Sequence, residues 1–204
     1  MRRALLIWAI LALLLSGSRA AGAASRQAGP EDRWQWLDNT YWYVPNENLL
    51  AIASSPSLPA PIPVSDQTVY HIEHYRAGYF WGITAVSHMK GQSSENTNPA
   101  CLQLVGSVTP EGKVHLTFTP LSSSPSDSGD STSQPTIGIG SMTPQRGKWT
   151  MENQMSTVAA DNILLTHWAY MFQCKPGERC FVRLPGVGTS IPSFLGPCVA
   201  GPPG

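Results

Sequence analysis

Gly106-Ser-Val-Thr-Pro-Glu-Gly-Lys113 recurs, with one residue inserted, as Gly140-Ser-Met-Thr-Pro-Gln-Arg-Gly-Lys148. Each stretch reads as the end of one strand, a turn, and the start of the next. Pro110 and Pro144 preset φ for the second position of a turn, and Gly112 and Gly147 supply the positive φ needed to re-enter a strand. The inserted Arg146 predicts a loop one residue longer in the second copy, absorbed by a bulge. The flanks alternate. Val114, Leu116 and Phe118 oppose His115, Thr117 and Thr119; Trp149, Met151, Asn153 and Met155 oppose Lys148, Thr150, Glu152 and Gln154. A period of 2 marks half-buried strands, so the chain is built from consecutive antiparallel hairpins.

Working outward, Asn39–Val44 reads as the first strand within an aromatic-dense stretch (Trp34, Trp36, Tyr41, Trp42, Tyr43), and Asn46–Ala53 as a short second one. Residues 54–64 hold four prolines and read as a loop. Thr68–Tyr75 and Tyr79–His88 form a hairpin about Arg76-Ala77-Gly78, followed by polar loop from Met89 to Pro99. Leu102–Val108 pairs with Lys113–Leu121, and Thr136–Met142 with Lys148–Met155. Between these pairs lies a Ser/Asp/Gly tract, 122–135, with the composition of a mobile loop. Ile163–Phe172 is the last long strand. No amphipathic helix of useful length is expected. A meander of about eight strands leaves two open edges unless it closes on itself. The expected fold is therefore all-β: a single antiparallel up-and-down meander β-barrel of about eight strands, stapled by disulfides. Gly82, Gly106, Gly138 and Gly140 sit inside strand patterns, where a small barrel must bend sharply.

The ends carry other information. Arg2 and Arg3, the apolar run Ala4–Leu15, and small-residue cleavage sites at Ser18-Arg19-Ala20 and Ala21-Gly22-Ala23 read as a secretory signal peptide over residues 1–24. Residues 25–33 read as a flexible leader, 34–173 as the barrel and 174–204 as an irregular, disulfide-tied tail. Cleavage removes Arg2, Arg3 and Arg19, so 13 basic residues become 10 against 13 acidic, a formal charge of −3. With no basic run left, the charge argues against nucleic acid or an anionic membrane surface as partner. No further segment is long and apolar enough to span a bilayer as a helix, so the expected location is secreted or periplasmic. In an oxidising compartment Cys101, Cys174, Cys180 and Cys198 predict two disulfides with three possible connectivities. The short Cys174-Lys-Pro-Gly-Glu-Arg-Cys180 loop favours 174–180, which leaves Cys101 with Cys198. The cysteine spacing does not fit a structural zinc site.

Four stretches resemble the calycin group, the avidins and lipocalins: Leu37-Asp-Asn-Thr-Tyr-Trp-Tyr43, Gly78-Tyr-Phe-Trp-Gly-Ile-Thr-Ala-Val86, Leu104–Val108 with Val114–Phe118, and Ile163-Leu-Leu-Thr-His-Trp-Ala-Tyr170. They span most of the chain after residue 24. The Pro-rich first connection and the Ser-rich 122–135 insertion depart from that pattern. The resemblance implies a barrel whose interior holds a ligand, lined by one parity of each strand.

Tyr79, Trp81, Trp149, Asn153, Trp168 and Tyr170 are the expected ligand-binding residues, aromatic walls with a polar anchor, though the same aromatics can simply fill a narrow barrel. Asn153 is the sharpest of them, because an amide on an inward face needs partners. His71-Ile-Glu73-His74 invites a metal reading, with His71 and Glu73 on one strand face, His74 on the other and a third ligand from His88, His115 or His167. The spacing does not match the helical zinc motif, and no metal is expected. No nucleophile elbow or phosphate-cradling loop occurs, and nothing brings two of Glu73, Glu152 and Asp161 together for acid–base work. The expected function is binding of a small, partly apolar or aromatic ligand in the barrel interior, without a cofactor. A protein-interaction barrel acting through loops 54–64 and 122–135, such as an inhibitor of a secreted hydrolase, is the alternative. A barrel cyclase or isomerase comes third.

Overall fold

Both copied hairpins form, and their turns differ. The computed structural model describes residues 30–45, 49–89, 99–121, 135–159, 162–175, 177–184 and 187–199. Strand β5 (Ala100–Val108) turns into β6 (Lys113–Pro120), and β7 (Thr136–Gln145) turns into β8 (Lys148–Ala159). The first turn runs through Thr109–Gly112, with Gly112 at φ +85° and its amide donating to the Thr109 carbonyl. The second turn is only Arg146-Gly147, at φ 48° and 78°, a two-residue loop between paired Gln145 and Lys148. Two successive left-handed residues match the right-handed twist of the flanking strands. Pro144 therefore lies in β7 opposite Trp149, not in the turn as expected. The inserted Arg146 shortens the loop instead of lengthening it.

The remaining strands complete a closed meander. They are β1 (Thr40–Tyr43), β2 (Leu49–Ser54), β3 (Ile62–Arg76), β4 (Tyr79–Met89) and β9 (Ile163–Cys174). From β3 to β9 each strand pairs with the next in sequence. β1 and β2 both pair with β9 on one side and β3 on the other, end to end, and together make one stave. The result is an eight-stranded closed antiparallel barrel. Leu49 lies six positions beyond Tyr43, whereas their partners Val69 and Asp66 are three positions apart. The odd excess flips the inward parity, so Trp42 on β1 is buried as an even position and Ala51 and Ala53 on β2 as odd ones. β3 begins at Ile62, six residues earlier than expected. Pro63 stands in register with Ile52 of β2, and the register of β3 against β4 is described from Ser65 onward.

The barrel encloses an apolar core that includes Trp42, Tyr70, Ile72, Phe80, Leu104, Leu116, Phe118, Met151 and Met171. The inward face of the first copied hairpin is Val114, Leu116 and Phe118. That of the second is Met151, Asn153 and Met155, with Trp149 partly buried at the end of the row. A β-bulge between Ile72 and His74 breaks the register of β3 against β4. Opposite the bulge, Gly82 packs so closely that a Cβ would overlap the His71 carbonyl oxygen and lie 2.8 Å from the Glu73 amide nitrogen. Both obstacles are backbone, so no rotamer change relieves them. Gly82→Ala should destabilise the barrel by about 3 kcal/mol, the upper end for overpacking, as read from the urea unfolding midpoint.

The tail is structured, contrary to expectation. Strands β10 (Phe181–Leu184) and β11 (Val187–Ser190) form a hairpin, and helix α1 spans Ile191–Val199. Ser190 caps the helix: its Oγ accepts from the Ser193 amide at 3.3 Å. Ile191, Phe194 and Leu195 share one face and bury against Val69, Ala85, Val182, Cys174 and Cys180 in a second core outside the barrel wall. Two disulfides close this layer, Cys101–Cys198 and Cys174–Cys180, the pairing that the loop lengths favoured.

Candidate functional site

The two ends of the barrel differ. At the end carrying the short turns, a 3-10 helix, Pro30–Leu37, lies across the opening. Trp34 is 2% exposed and its Nε1 donates to the Thr109 carbonyl at 2.8 Å. Trp34 meets Trp149 edge-on at 5.0 Å between ring centroids, and Trp36 stacks on Trp149 at 5.2 Å. Leu37 is fully buried beneath them. Asp38 fixes the exit of the helix by accepting the Tyr75 amide at 2.8 Å.

At the opposite end the inward residues are only half-buried. Val64, Val86, Leu102, Pro120, Thr157 and Leu165 all lie in register with inward positions and are all partly exposed, and Ile62 at the rim is 43% exposed. The connections from β4 to β5 and from β6 to β7 at this end lie outside the described residues.

Between rim and plug the lining changes character. Ala51, Ala53, Thr68, Thr84, Asn153 and His167 face inward, all buried. Tyr70 crosses this zone. Its hydroxyl lies 3.2 Å from Met155 Sδ and 3.5 Å from Asn153 Oδ1, and its ring meets Phe118 at 5.3 Å. Thr84 is opposite Tyr70 on the neighbouring strand, and Thr68 is the next inward residue on β3. Asn153 Nδ2, Thr68 Oγ1 and Thr84 Oγ1 are buried and make no hydrogen bond; Gln173 Oε1, in register with Trp42 nearer the plug, is a fourth such atom. A buried donor without a partner costs about 1–3 kcal/mol, so such groups rarely cluster without a reason.

The six expected ligand residues divide. Asn153 faces the interior and is fully buried; Trp149 faces inward but belongs to the plug. Tyr79 (63% exposed), Trp81 and Trp168 stand on the outer wall, as does Tyr170, and do not line the interior. Trp168 Nε1 donates to Glu152 Oε1, and Tyr170 Oη donates to Gln145 Oε1, each at 2.8 Å. On β9 it is the small and flexible set, His167, Ala169 and Met171, that turns inward. An eight-stranded barrel has room for few large rings, and Trp34, Trp42, Tyr70, Tyr75, Phe80 and Phe118 already occupy it. The residues that alternation missed are Thr68 and Thr84; their signal was a hydroxyl at a position whose neighbours on the same face are apolar.

The histidine-rich stretch folds differently from its expected alternation. The bulge puts His71 and His74 both on the outer wall, opposite Ile83 and Trp81. His71 stacks on Tyr41 at 4.2 Å, its Nε2 lies 3.2 Å from Asn39 Oδ1, and its Nδ1 lies 3.8 Å from Glu73. His115 stands on another part of the wall and His167 inside, so these imidazoles do not converge; the His88 side chain lies outside the described ones. Among the described residues the one grouping of possible metal ligands is Cys174, Glu178 and Cys180, whose sulfurs are joined in a disulfide. Of the candidate acids, Glu73 and Glu152 are both on the outside, and Asp161 and the 122–134 tract lie outside the described residues. A surface notch of about 230 Å³ beside the second disulfide includes Asn39, Tyr41, Lys175 and Glu178; Glu178 is already engaged by Lys148 and the Lys175 amide.

Burial holds the His71 imidazole below the usual histidine value, against the opposing pull of Glu73, with His74 adding to the lowering. The unfolded chain then takes up its proton first as pH falls through about 6.5. Stability should decline from there down to the folded value and level off below it. His71→Gln should flatten this part of the urea-midpoint profile; an unchanged slope would place the titration elsewhere.

Among the described residues no helix is long and apolar enough to cross a membrane. The chain matches no protein-family model, no curated protein and no solved structure.

Proposed function

We propose that this protein is an exported calycin-like barrel that binds a small, partly apolar or aromatic molecule in its interior, entered from the end opposite the 3-10 helix. One observation carries the reading: unpartnered buried polar atoms on Asn153, Thr68 and Thr84 lie inside a wall that is half-exposed and apolar at one end and sealed by tryptophans at the other. Small-molecule sites are furnished this way, with apolar walls and a few fixed polar groups. Two disulfides fit an oxidising compartment, as does the leader-like start of the chain. The test is thermal unfolding of the disulfide-bonded protein against a panel of small apolar and aromatic compounds. At least one should raise Tm with the logarithmic concentration dependence of native-state binding. If none does at millimolar concentration, the reading fails.

A further inference from the structure

We infer that Glu178–Phe181 is a docking segment for an arginine-specific endopeptidase, with Arg179 entering an acidic specificity pocket of that partner; the inference is independent of the interior-binding reading. Such a partner takes a peptide as an extended strand, drawing affinity from the main chain and selectivity from a pocket for one side chain. A segment fits this mode when it is exposed, neither helical nor turned, carries the selected side chain unpaired, and is ordered before the partner arrives.

Arg179 meets each condition. It is exposed and makes no hydrogen bond or ion pair among the described residues. Its amide and carbonyl take part in no backbone hydrogen bond there. The chain is irregular from Glu178 to Cys180 and extended from Phe181 onward as β10. Burial alternates: Arg179 and Phe181 point outward, the latter 52% exposed, while Cys180 and Val182 enter the second core. Among the described residues β11 is the one strand paired with β10. The other described arginines do not fit. Arg33 belongs to the 3-10 helix, with its guanidinium over Trp34, and Arg146 sits in a two-residue turn at φ 48°. Arg76 and Arg183 lie within paired strands, opposite Tyr79 and Gly188.

The segment is anchored on both sides. The Cys174–Cys180 bridge closes the loop before it, and both cysteines are buried. Inside that loop the Glu178 amide donates to the Lys175 carbonyl at 3.0 Å, with Gly177 at φ +86°. The Glu178 carboxylate accepts from the Lys175 amide at 3.2 Å and from Lys148 Nζ at 3.4 Å. Beyond Arg179 the Cys180 carbonyl accepts the Ile191 amide at 3.3 Å. A segment held this way loses little further conformational entropy on docking. A guanidinium leaving water needs a carboxylate in fork geometry, so the complementary pocket is acidic. Lys175, the other exposed cation of the loop, has its own amide engaged by Glu178 and is followed by Pro176, which has no N–H for a strand-like partner to bond.

Trypsin, whose specificity pocket is acidic, and chymotrypsin, whose pocket is apolar, are the probes, each assayed on a small chromogenic substrate with the disulfide-bonded protein added. Trypsin should be inhibited competitively with a Ki in the micromolar range or below. Chymotrypsin should be inhibited at least about tenfold more weakly. Arg179→Ala should raise the Ki for trypsin at least about thirtyfold, the loss of one buried charge pair. It should leave Tm unchanged, because the exposed side chain bonds nothing in the fold. Arg179→Lys should stay within about tenfold of the parent, since the ammonium keeps the charge and loses the fork. Arg146→Ala, at the exposed hairpin tip, should leave Ki unchanged. Absence of inhibition by the unmodified protein would overturn the proposal, and so would inhibition indifferent to Arg179→Ala. Hydrolysis between Arg179 and Cys180 without inhibition, seen as a mass gain of one water with the two ends still joined by the disulfide, would make the segment a plain substrate and overturn it too. These outcomes leave the interior reading to its own ligand test.

Discussion

Trp34→Ala should lower the stability of the barrel by about 3–5 kcal/mol, the cost of removing a fully buried aromatic side chain. The indole is 2% exposed, touches Trp36 and Trp149, and donates its N–H to Thr109 in the first copied turn. Truncation thus removes the wedge from the sealed end and leaves the Thr109 carbonyl to find another donor. A domain of this size has about 5–15 kcal/mol in total, so the loss is a large fraction of its stability. Trp34→Phe keeps most of the apolar volume and loses the hydrogen bond, so it should cost nearer 1 kcal/mol from that bond plus a smaller packing loss. Urea midpoints for the pair separate the two contributions. A Trp34→Ala protein as stable as the parent would mean that the 3-10 helix is not part of the cooperative unit.

The barrel was legible because two short-range signals agreed along most of the chain: period-2 alternation, and turn residues at Gly78, Gly112 and Gly147, all with positive φ. What escaped was each place where tertiary contact overrides local pattern. The bulge at Ile72/His74 adds no distinctive residue, and it carries His74 to the outer wall. Helix α1 contains Gly196 and Pro197, which argue against a helix in isolation. It forms because three apolar side chains find the outer wall and Cys198 is tied to β5. The capping pattern Ser190-Ile-Pro-Ser193 was its one local signature.

Of the expected ligand residues, the inward placement of Asn153 and Trp149 was legible and the outward placement of the other four was not, for one reason. Aromatic content suggests burial, yet a narrow barrel limits ring volume more strongly than it rewards hydrophobicity. Trp168 and Tyr170 were therefore displaced outward by the rings already inside, each keeping a hydrogen bond to a neighbouring outer side chain. Thr68 and Thr84 read as ordinary strand residues, because threonine suits a pleated surface facing either way. Only the closed register puts them beside Tyr70, inside the wall.

The Cys101–Cys198 bridge spans 97 residues and the Cys174–Cys180 bridge 6, so their removal should differ sharply. On loop-closure entropy the long bridge contributes about 4.7 kcal/mol and the short one about 2 kcal/mol. The long bridge also holds α1 against Val69 and Ala85 on the outer wall. Replacing Cys101 and Cys198 with serine should therefore lower the urea midpoint by more than twice the shift seen on replacing Cys174 and Cys180. It should also free α1 locally. Amide exchange at Phe194 and Leu195 should accelerate in the long-bridge variant before global unfolding does, because a short helix detached from its apolar surface has little stability of its own. The barrel amides of β6 to β8, remote from this layer, should keep their protection relative to the global midpoint. Uniform loss of protection across barrel and helix would mean that the two cores unfold as one unit, and that the second core supports the barrel wall rather than resting on it.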